Sequence, residues 1–556
     1  MADTVVRDLL TEFETMKADR LPVEATWDEI AEYVVPHRSG YGAEHDPEVE
    51  RGERRGSVIY DGTAQSALNL YASGTMGYLL SSSFNWFSSR VPDEKLMDNR
   101  EVRLWLSQVD AVLFGMLTRS NFYREARSLF TDGGSVGTAP FYRYWDAMTA
   151  REVFMALHPR EIFVAEDAHG EVDTVFRYTQ MTARQLLQRF KDANLNDEIR
   201  AEAADPQTAH KLHRILHAMK PNPRFDPRKR DSKARKVASW YVDVEHEGMI
   251  RQRGFDILPV AVWRVQKESD ERYGRGPGWA ALADIKQLQE YARTDITAAQ
   301  MLVQPPIDIP EERRGDVQYI PGGRSYYDEA GRPVRRLVDD RVELRAGLDR
   351  EERKQQLIRE HYMVDFFLMF AQAEREMTAT EIRQRREEKA VLLGPHITGL
   401  NQDILDKVID GLFNDAWNAG MIPPPPEILV KSGNGRLEID YQGPLAQAQR
   451  SYFQGQPYRE ALQTWMALTE LHVNAGRRPD FLDNYNFDFV SKEMVKAGGF
   501  PEEAIIDERQ VAEMRKQRAD AEAKQQRMAA MEQMGKAAKG MNEPVQEGSL
   551  MEAAAG

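Results

Sequence analysis

The chain has 556 residues, of which 42% are hydrophobic, enough to fill the cores of roughly three or four domains. It contains no cysteine, which excludes disulfides, thiolate metal sites and cysteine nucleophiles. Its 89 acidic and 74 basic residues give a net charge of −15, so the surface repels phosphate on average and any contact with nucleic acid has to be local.

The first 135 residues are predicted to be mostly helical. An apolar stripe at helical spacing runs along residues 6–16, and Thr26 and Glu29 have the spacing of a capping box that would start a second helix. The amphipathic, acidic start lacks the continuous apolar core of a signal peptide, and "FFLMF" at 366–370 is too short to span a bilayer. Three further helices are predicted over 63–80, 100–119 and 122–131.

A β-rich region follows, made of short segments rich in β-branched and aromatic residues. These are "GTAPFYRYW", "EVFMAL", "EIFVAED", "VDTVFRY", "KVASWYVDVEH" and "ILPVAVWRV". "DAHG" and "EHEG" are typical of hairpin turns. Helical pieces are predicted near 182–190 and 208–219, with a basic, proline-broken loop between the latter and the next strand.

Two long helices dominate the middle of the chain. The first runs from Trp279 to about Val303, and the second begins at Asp349, whose spacing from Glu352 predicts a cap, and continues to about Ala371. The roughly 45 residues between them contain short strand-like pieces and turns. The pattern predicts a helical hairpin with a small β module at its tip, an arrangement that gains most when neighbouring copies pack against it in a ring.

The segment "MTATEIRQRREEKAVLLGP" starts with a capping box at Thr378 and Glu381 and then has almost no apolar stripe. A helix that is polar nearly all round either bridges domains through solvent or contacts charged partners. An amphipathic helix follows over 405–416, ended by Gly420. "EILVK-SGNG-RLEIDY" predicts a hairpin, residues 507–539 a polar helix, and the last residues a disordered tail.

Two glycine-rich motifs have patterns that resemble those of chemical sites. "GGSVG" at 133–137 has the pattern of a serine-hydrolase elbow, but here a helix precedes Ser135 and a strand follows, the reverse of that motif. "GRGPG" at 274–278 lacks the third glycine of a dinucleotide loop and is interpreted as a sharp turn into the helix that starts at Trp279. No Walker-type P-loop occurs in the chain. We therefore expect no catalytic residue and no cofactor.

Histidines and a basic run leave two binding alternatives. His210, His213 and His217 would lie near one another on a helix at 208–219 and could bind a transition metal, although three exposed histidines are the simpler interpretation. The run "RKRDSKARK" at 228–236 could contact a phosphate backbone, but it lacks the interleaved aromatic residues that stack on bases. A solvated loop is the favoured interpretation, and no metal site is assigned.

Several motifs, in order along the chain, resemble the head-to-tail connector, or portal, proteins of short-tailed bacteriophages. They are "WDEIAEYVVPHRSG", "IYDGTAQSALNLYASGTMGYLLSS", "RYGRGPGWAALADIKQLQ", "MTATEIRQRREEK", "GMIPPPP", "YQGPLAQAQR" and "DNYNFDF". Each motif is weak by itself, but their order and spacing are specific. The resemblance covers roughly residues 5–520.

This resemblance implies a mainly α, α+β portal-type fold with a helical and β wing, a two-helix stem, a small β clip and a helical crown. The implied regions are an N-terminal wing region at 1–278, stem helices at 279–303 and 350–371, a clip at 304–349, a tunnel loop at 372–378, a long wing helix and wing hairpin at 379–444, crown helices at 445–540 and a disordered tail at 541–556. The polar helix after Thr378 would then contact adjacent subunits, which accounts for its charge.

The resemblance also implies a function. A homo-oligomeric ring, a dodecamer in this family, would occupy one capsid vertex of the virion after assembly in the host cytoplasm. Double-stranded DNA would pass through its channel during packaging and ejection, with Arg375 as the candidate residue facing it. The implied partners are the terminase, tail or adaptor proteins, capsid and scaffolding proteins, and no membrane. The alternatives are another ring-forming or scaffold protein of a virion and an unfamiliar nucleic-acid enzyme.

Overall fold

The computed structural model describes residues 2–38, 40–41, 59–303, 344–371, 398–432, 437–443, 456–497 and 508–541, except 83, 98, 147, 192, 230 and 477, together with 307–308, 311, 335–336 and 506. These residues divide into two units, 1–449 and 450–556. Helices and strands both occur, which confirms the α+β class. Within the described part of the chain, no helix combines the length and apolarity needed to cross a membrane.

Unit 1 contains most of the helices. They are α1 (Ala2–Val34), α2 (Thr63–Leu79), α3 (Glu94–Met97), α4 (Arg100–Arg119), α5 (Phe122–Ser135), α6 (Ala183–Arg189), α7 (Asp197–Ala204), α8 (Pro277–Val303), α9 (Leu344–His361), α10 (Val364–Ala371), α11 (Asp406–Asn418) and α12 (Glu427–Ser432). The predicted helices at 63–80, 100–119, 182–190 and 279–303 are confirmed. The helix predicted at 122–131 continues to Ser135.

The strands of unit 1 all pair in antiparallel fashion. They are β1 (Phe87–Arg90), β2 (Thr138–Asp146), β3 (Arg151–Ala156), β4 (Ile162–Glu166), β5 (Val172–Thr182), β6 (Leu212–Pro221), β7 (Val237–Asp243), β8 (Gly248–Phe255), β9 (Val260–Arg264), β10 (Ile307–Asp308), β11 (Arg335–Arg336) and β12 (Glu438–Tyr441). Their sheets have the orders β4-β5-β6-β7-β8, β3-β2-β9, β1-β12 and β10-β11. The six strands predicted for the β-rich region are all present.

The five-stranded sheet is covered by helices on both faces. The apolar stripe of α1, including Phe13, packs with Phe163 and Trp240 on one face. On the other face, Leu186 of α6 and Ile199 of α7 pack with strand residues. A strand buried on both faces does not show the alternation of apolar and polar residues that marks a half-exposed strand.

The two helices predicted at the start of the chain form a single helix, α1. Helix α1 continues through Pro22 to Val34, so the predicted cap at Thr26 is wrong. Proline lacks one backbone donor and usually breaks a helix interior. Here the side chain of Arg20 stabilises the helical turn that contains Pro22, because it donates hydrogen bonds to the carbonyls of Pro159, Arg160 and Ile162.

Two other predictions are corrected. Residues 212–221 form strand β6, between β5 and β7, where a helix was predicted at 208–219. The predicted hairpin "EILVK-SGNG-RLEIDY" is wrong because Glu427–Ser432 is helical and Glu438–Tyr441 pairs with Phe87–Arg90. The second outcome depends on a strand partner that is distant in sequence.

Unit 2 is helical in its described residues. It contains α13 (Gln456–Asn474), α14 (Phe487–Ala497) and α15 (Glu508–Met541), the last close to the predicted 507–539. Trp465 packs against Tyr485 and Phe487, with ring centroids 4.5 and 5.3 Å apart. Asp488 accepts two hydrogen bonds, at 2.6 and 2.7 Å, from Arg515. These contacts connect its helices to one another.

Candidate functional site

Helices α8 and α9 form the antiparallel pair predicted from the sequence, called here the helix pair. At its base, Asp284 of α8 accepts a hydrogen bond from Lys354 Nζ at 2.6 Å and lies 3.3 Å from His361 Nε2, both on α9. Burial opposes ionisation of Asp284, but these two partners lower its pKa overall. The charged form of Asp284 therefore stabilises the base of the helix pair.

A turn before α2 is bound along the helix pair. The side-chain oxygen of Gln289 accepts from the backbone amides of Tyr60 and Asp61 at 2.7 and 3.0 Å, and its nitrogen donates to the Asp61 carbonyl at 2.8 Å. Gln355 of α9 donates to the Asp61 carboxylate at 2.8 Å. The same turn thus contacts both helices and fixes their relative position.

The far end of α8 leaves the protein core. From Arg293 to Val303 none of the described side chains is buried, a length of roughly 16 Å. This end nevertheless carries apolar residues: Ile296 is 44% exposed and Val303 81%. Apolar side chains on a projecting helix mark a surface suited to contact with another protein.

The second helix of the pair differs from the prediction. It starts at Leu344, so Asp349 lies inside the helix and does not cap it, and it stops at His361. Met363 has φ 53°, a left-handed conformation that separates α9 from α10. No glycine or proline announces this break in the sequence.

Helix α10 is held by aromatic contacts with α2. Phe367 stacks on Tyr78, with centroids 6.1 Å apart, and packs edge-on against Tyr71. Its ring lies directly on Gly74, where an added Cβ would come within 2.3 Å of it. The glycine allows the close approach that anchors the chain just before residue 372.

Two glycines of α2 make a matched pair for testing this anchor. Gly74→Ala is expected to lower the free energy of unfolding by about 1–3 kcal/mol, because Phe367 has to move. Gly77→Ala is expected to raise it by about 0.5–1 kcal/mol, since nothing lies within 4 Å of its added Cβ and alanine favours the helix. Urea denaturation of both variants measures the difference, and equal effects would contradict the Phe367 contact.

The two glycine motifs meet at the start of α8. Gly137 has φ 83°, and a Cβ added to Gly276 would come within 2.4 Å of the carbonyl oxygen of Gly133. Gly278 is equally close to the carbonyl of Ser135, at 2.3 Å. The prediction that 274–278 turns into α8 is confirmed, whereas residues 133–135 belong to α5 and the chain turns only at 136–137. The packing of the two motifs on each other, which the sequence did not indicate, orients α8.

Ser135 is buried at the end of a helix and is not placed as a nucleophile would be. Its side chain is fully buried, and the hydroxyl donates to the carbonyl of Thr131 at 2.8 Å. Ser135 is the last residue of α5, and β2 follows it. A hydrolase elbow has the opposite order and an exposed hydroxyl.

Two carboxyl groups approach each other across the helix pair. Burial and the negative charge of Asp295 raise the pKa of Glu351, with a smaller contribution from Asp61. Gly347, one turn earlier in α9, allows this approach, because its added Cβ would lie 2.5 Å from Asp295. Ionisation of Glu351 beside Asp295 is therefore disfavoured in the folded protein.

Replacing Glu351 with Gln is expected to stabilise the protein at neutral but not at acidic pH. A carboxyl whose folded pKa is raised favours folding when protonated, and that stability is lost as the pH rises through the raised value. The urea midpoint of Glu351→Gln should exceed that of the wild type at about pH 8 and converge with it near pH 4. Glu352→Gln, on the exposed neighbouring position, is the control; equal pH profiles for both variants would contradict the repulsion.

The three histidines do not form a cluster. His210 lies in the turn before β6, whereas His213 and His217 are four residues apart on that strand and thus roughly 13 Å apart. His213 pairs with Glu202 at 2.6 Å, and His217 contacts the Ser239 hydroxyl at 2.8 Å. Within the described residues, no group of three potential ligands could hold a metal ion.

The basic run at 228–236 is a loop with internal contacts. The Asn222 side chain donates to the carbonyls of Lys233 and Arg235 at 2.9 and 2.7 Å. Arg235 also pairs with both oxygens of Asp256 at 2.8 Å. At least one cation of the run, Arg235, therefore forms an ion pair within the protein.

Several sequence-based predictions concern residues outside the described part of the chain. These are the channel candidate Arg375, the capping box at Thr378 and Glu381, and most of the β module between the long helices. Of that module, the described part contains the pairing of Ile307–Asp308 with Arg335–Arg336. This pairing joins the strand that follows α8 to the strand that precedes α9.

Comparisons with known proteins agree over nearly the whole chain. A family model described as "Bacteriophage head to tail connecting protein" matches residues 6–506. The chain is 28% identical over 540 residues to the probable portal protein of Bordetella phage BPP-1, covering 96% of this chain and 95% of that protein. It is 26% identical over 555 residues to the portal protein of Salmonella phage epsilon15, covering 97% and 95%.

Proposed function

Because the chain belongs to the family of bacteriophage head-to-tail connecting proteins, we propose that it acts as the portal of a phage, a ring at one capsid vertex through which the genome is packaged and ejected. The match over residues 6–506 carries this proposal, since it covers nearly all of unit 1 and continues into unit 2. The role is structural, and energy for packaging would come from a separate terminase.

The helix pair is the proposed stem of this ring. In this assignment the stem consists of Pro277–Val303 and Leu344–His361, with Val364–Ala371 continuing after the break at Met363. Residues between α8 and α9 would form the clip, 372–378 the tunnel loop, 1–278 and 379–444 the wing, and 445–540 the crown. The exposed apolar residues at the far end of α8 support the stem assignment because neighbouring stems would cover them.

Electron microscopy of the purified chain tests the proposed ring. A heterologous interface repeated around an axis closes into a ring, so annular particles with a central hole are expected, of twelve subunits by the family resemblance. Ile296→Glu should reduce ring assembly because it puts charge on the projecting end of α8. Met148→Glu is the control, since Met148 is 96% exposed at the tip of the β2–β3 hairpin. A stable wild-type monomer would contradict the proposal.

Arg375 is the proposed contact with DNA in the channel. One arginine per subunit would give a positive ring inside an otherwise acidic tube, able to hold a phosphate backbone loosely, with salt screening over roughly 8–10 Å. Arg375→Ala should therefore assemble normal rings but retain or package DNA poorly. Normal packaging and retention would reject this role, and failed assembly would instead assign Arg375 to the ring interface.

The proposed partners follow from the same assignment. The clip would bind terminase during packaging and tail or adaptor proteins afterwards, while the wing would contact capsid and scaffolding proteins. Double-stranded DNA would pass through without base-specific contacts. The virion vertex is the proposed location, with assembly in the host cytoplasm.

A further inference from the structure

A groove of about 910 Å³ opens on unit 1, in the part of the chain proposed above as the wing. It lies among α4, α11, α12 and the β1–β12 pair, and its floor is apolar: Ile409 is 1% exposed, and Trp105 and Leu429 are each 7% exposed. Trp105 is fixed by a hydrogen bond from its indole nitrogen to the Pro423 carbonyl at 2.9 Å. The floor is therefore formed by side chains that the fold itself holds in place.

The mouth of the groove exposes large apolar side chains. Trp417 is 47% exposed and Val430 66%, although both line the groove. Phe413 stacks on Trp417 with ring centroids 6.1 Å apart, which makes a flat aromatic ledge at the entrance. Exposed tryptophan next to a pocket is typical of the residues that dominate binding at protein interfaces.

The charges of the groove have one sign. Asp406, Asp410 and Glu438 line it, and no lysine, arginine or histidine is among its lining residues in the described part of the chain. The nearby Arg90 is 3.8 Å from Glu438 at a half-exposed position, where such pairs contribute little. The groove thus combines an apolar floor with an acidic lining.

We propose that this groove binds a segment of another protein that presents apolar anchors flanked by lysine or arginine. The volume is at the upper end for small-molecule pockets and suits several side chains, as when the apolar face of an amphipathic helix lies in a groove. The acidic lining selects cationic segments and disfavours acidic ones. This inference does not depend on ring formation, because the groove is built within one chain.

A pair of synthetic peptides tests the proposal on the purified full-length protein. The probe is a fluorescent peptide of leucine and lysine with leucines at helical i, i+3, i+4, i+7 spacing; its partner has the same leucines and glutamate in place of lysine. Fluorescence anisotropy should show binding of the lysine peptide at least about tenfold tighter than that of the glutamate peptide. Equal binding of the two, or none of the lysine peptide, would overturn the proposal.

Variants locate the binding. Trp417→Ser should weaken binding of the lysine peptide at least about tenfold, and Val430→Ser, at a more exposed position, tests the same entrance if Trp417→Ser folds poorly. Asp410→Asn combined with Glu438→Gln should weaken binding severalfold and flatten its salt dependence. Met148→Ser, at an exposed position that does not line the groove, should bind as the wild type does. Equal binding by all variants would reveal general attraction to an acidic surface and overturn the proposal.

A second copy of the chain is the competing occupant. Because the chain has no cysteine, Val430→Cys provides a single reactive thiol at the entrance. If assembled rings react with a maleimide as readily as the unfolded chain does, the groove is open to another protein. Protection of the thiol in rings would assign the groove to a neighbouring subunit and overturn the proposal.

Discussion

Arg20→Ala is expected to lower the free energy of unfolding by about 3–5 kcal/mol. The Arg20 side chain is completely buried, and its Nη1 donates to the carbonyl oxygens of Arg160 and Ile162 at 2.8 and 2.7 Å, and to Pro159 at 3.2 Å. Its Nε donates to Glu24 at 2.7 Å. The substitution removes this donor from all three carbonyls and takes one hydrogen-bond partner from Glu24 in a buried site.

The shape of the guanidinium matters as well as its charge. Arg20 also lies over the ring of Phe163, 3.7 Å from its centroid, so the planar group stacks while its edge donates hydrogen bonds. Lysine cannot reproduce both interactions, and Arg20→Lys should keep only a small part of the lost stability. Urea denaturation at fixed protein concentration measures these effects.

The control for Arg20 is on the same helix. Arg7 is exposed on α1, and Arg7→Ala should change the free energy of unfolding by less than about 0.5 kcal/mol. If Arg20→Ala behaves like Arg7→Ala, the interior proline of α1 is tolerated for another reason. A loss confined to Arg20 would explain why α1 continues through Pro22.

Local patterns predicted the elements whose burial is one-sided. Short stretches of sequence are enough to recognise the amphipathic stripes of α8 and α11. The same is true of the turns that join β4 to β5 and β7 to β8. Strand β6 was mistaken for a helix because both faces of its sheet are covered, which removes the period-two pattern. Strand β12 was mispaired because its partner, β1, is about 350 residues earlier.

The helix pair was predicted from the sequence, but the contacts that aim it were not. The packing of Gly276 on Gly133 joins segments far apart in the chain, and the break at Met363 is marked by no glycine or proline. A glycine motif indicates that a turn is possible, but it does not show which other segment of the chain packs against that turn. Likewise, Arg20 looks like any charged residue until its distant acceptors are known.

Gly411 illustrates the same limit. In the sequence it is a glycine inside an amphipathic helix, where alanine would ordinarily be preferred. In the structure, a Cβ at this position would come within 1.9 Å of the Arg143 guanidinium carbon. The glycine leaves space for an arginine from strand β2, which then pairs with acids on two different elements.

Arg143→Ala is the second substitution expected to cost about 3–5 kcal/mol of unfolding free energy. Arg143 is 7% exposed, and its Nη1 donates to Glu152 of β3 at 2.7 Å and to Asp415 of α11 at 2.6 Å. The arginine therefore joins the β2–β3 hairpin to α11. Its removal leaves a buried carboxylate, Glu152, beside a second acid.

The cost of Arg143→Ala should depend on pH. Burial raises the pKa of Glu152 to about 7 even with Arg143 present, and loss of the cation raises it further. Since a carboxyl with a raised folded pKa stabilises the fold when protonated, stability is lost as the pH rises through that value. The destabilisation by Arg143→Ala should thus be larger at about pH 8 than at about pH 5, and Arg143→Ala with Glu152→Gln should recover part of it at pH 8.

Arg151→Ala separates this buried network from general charge effects, because Arg151 is exposed on the adjoining strand β3. It should change the unfolding free energy by less than about 0.5 kcal/mol at either pH. A pH-independent loss in Arg143→Ala, or no recovery in the double variant, would mean that packing of the arginine on Gly411 matters more than its pairing with Glu152. A loss that grows with pH and falls when Glu152 is neutralised would place the energy in the ion pair that joins the hairpin to α11.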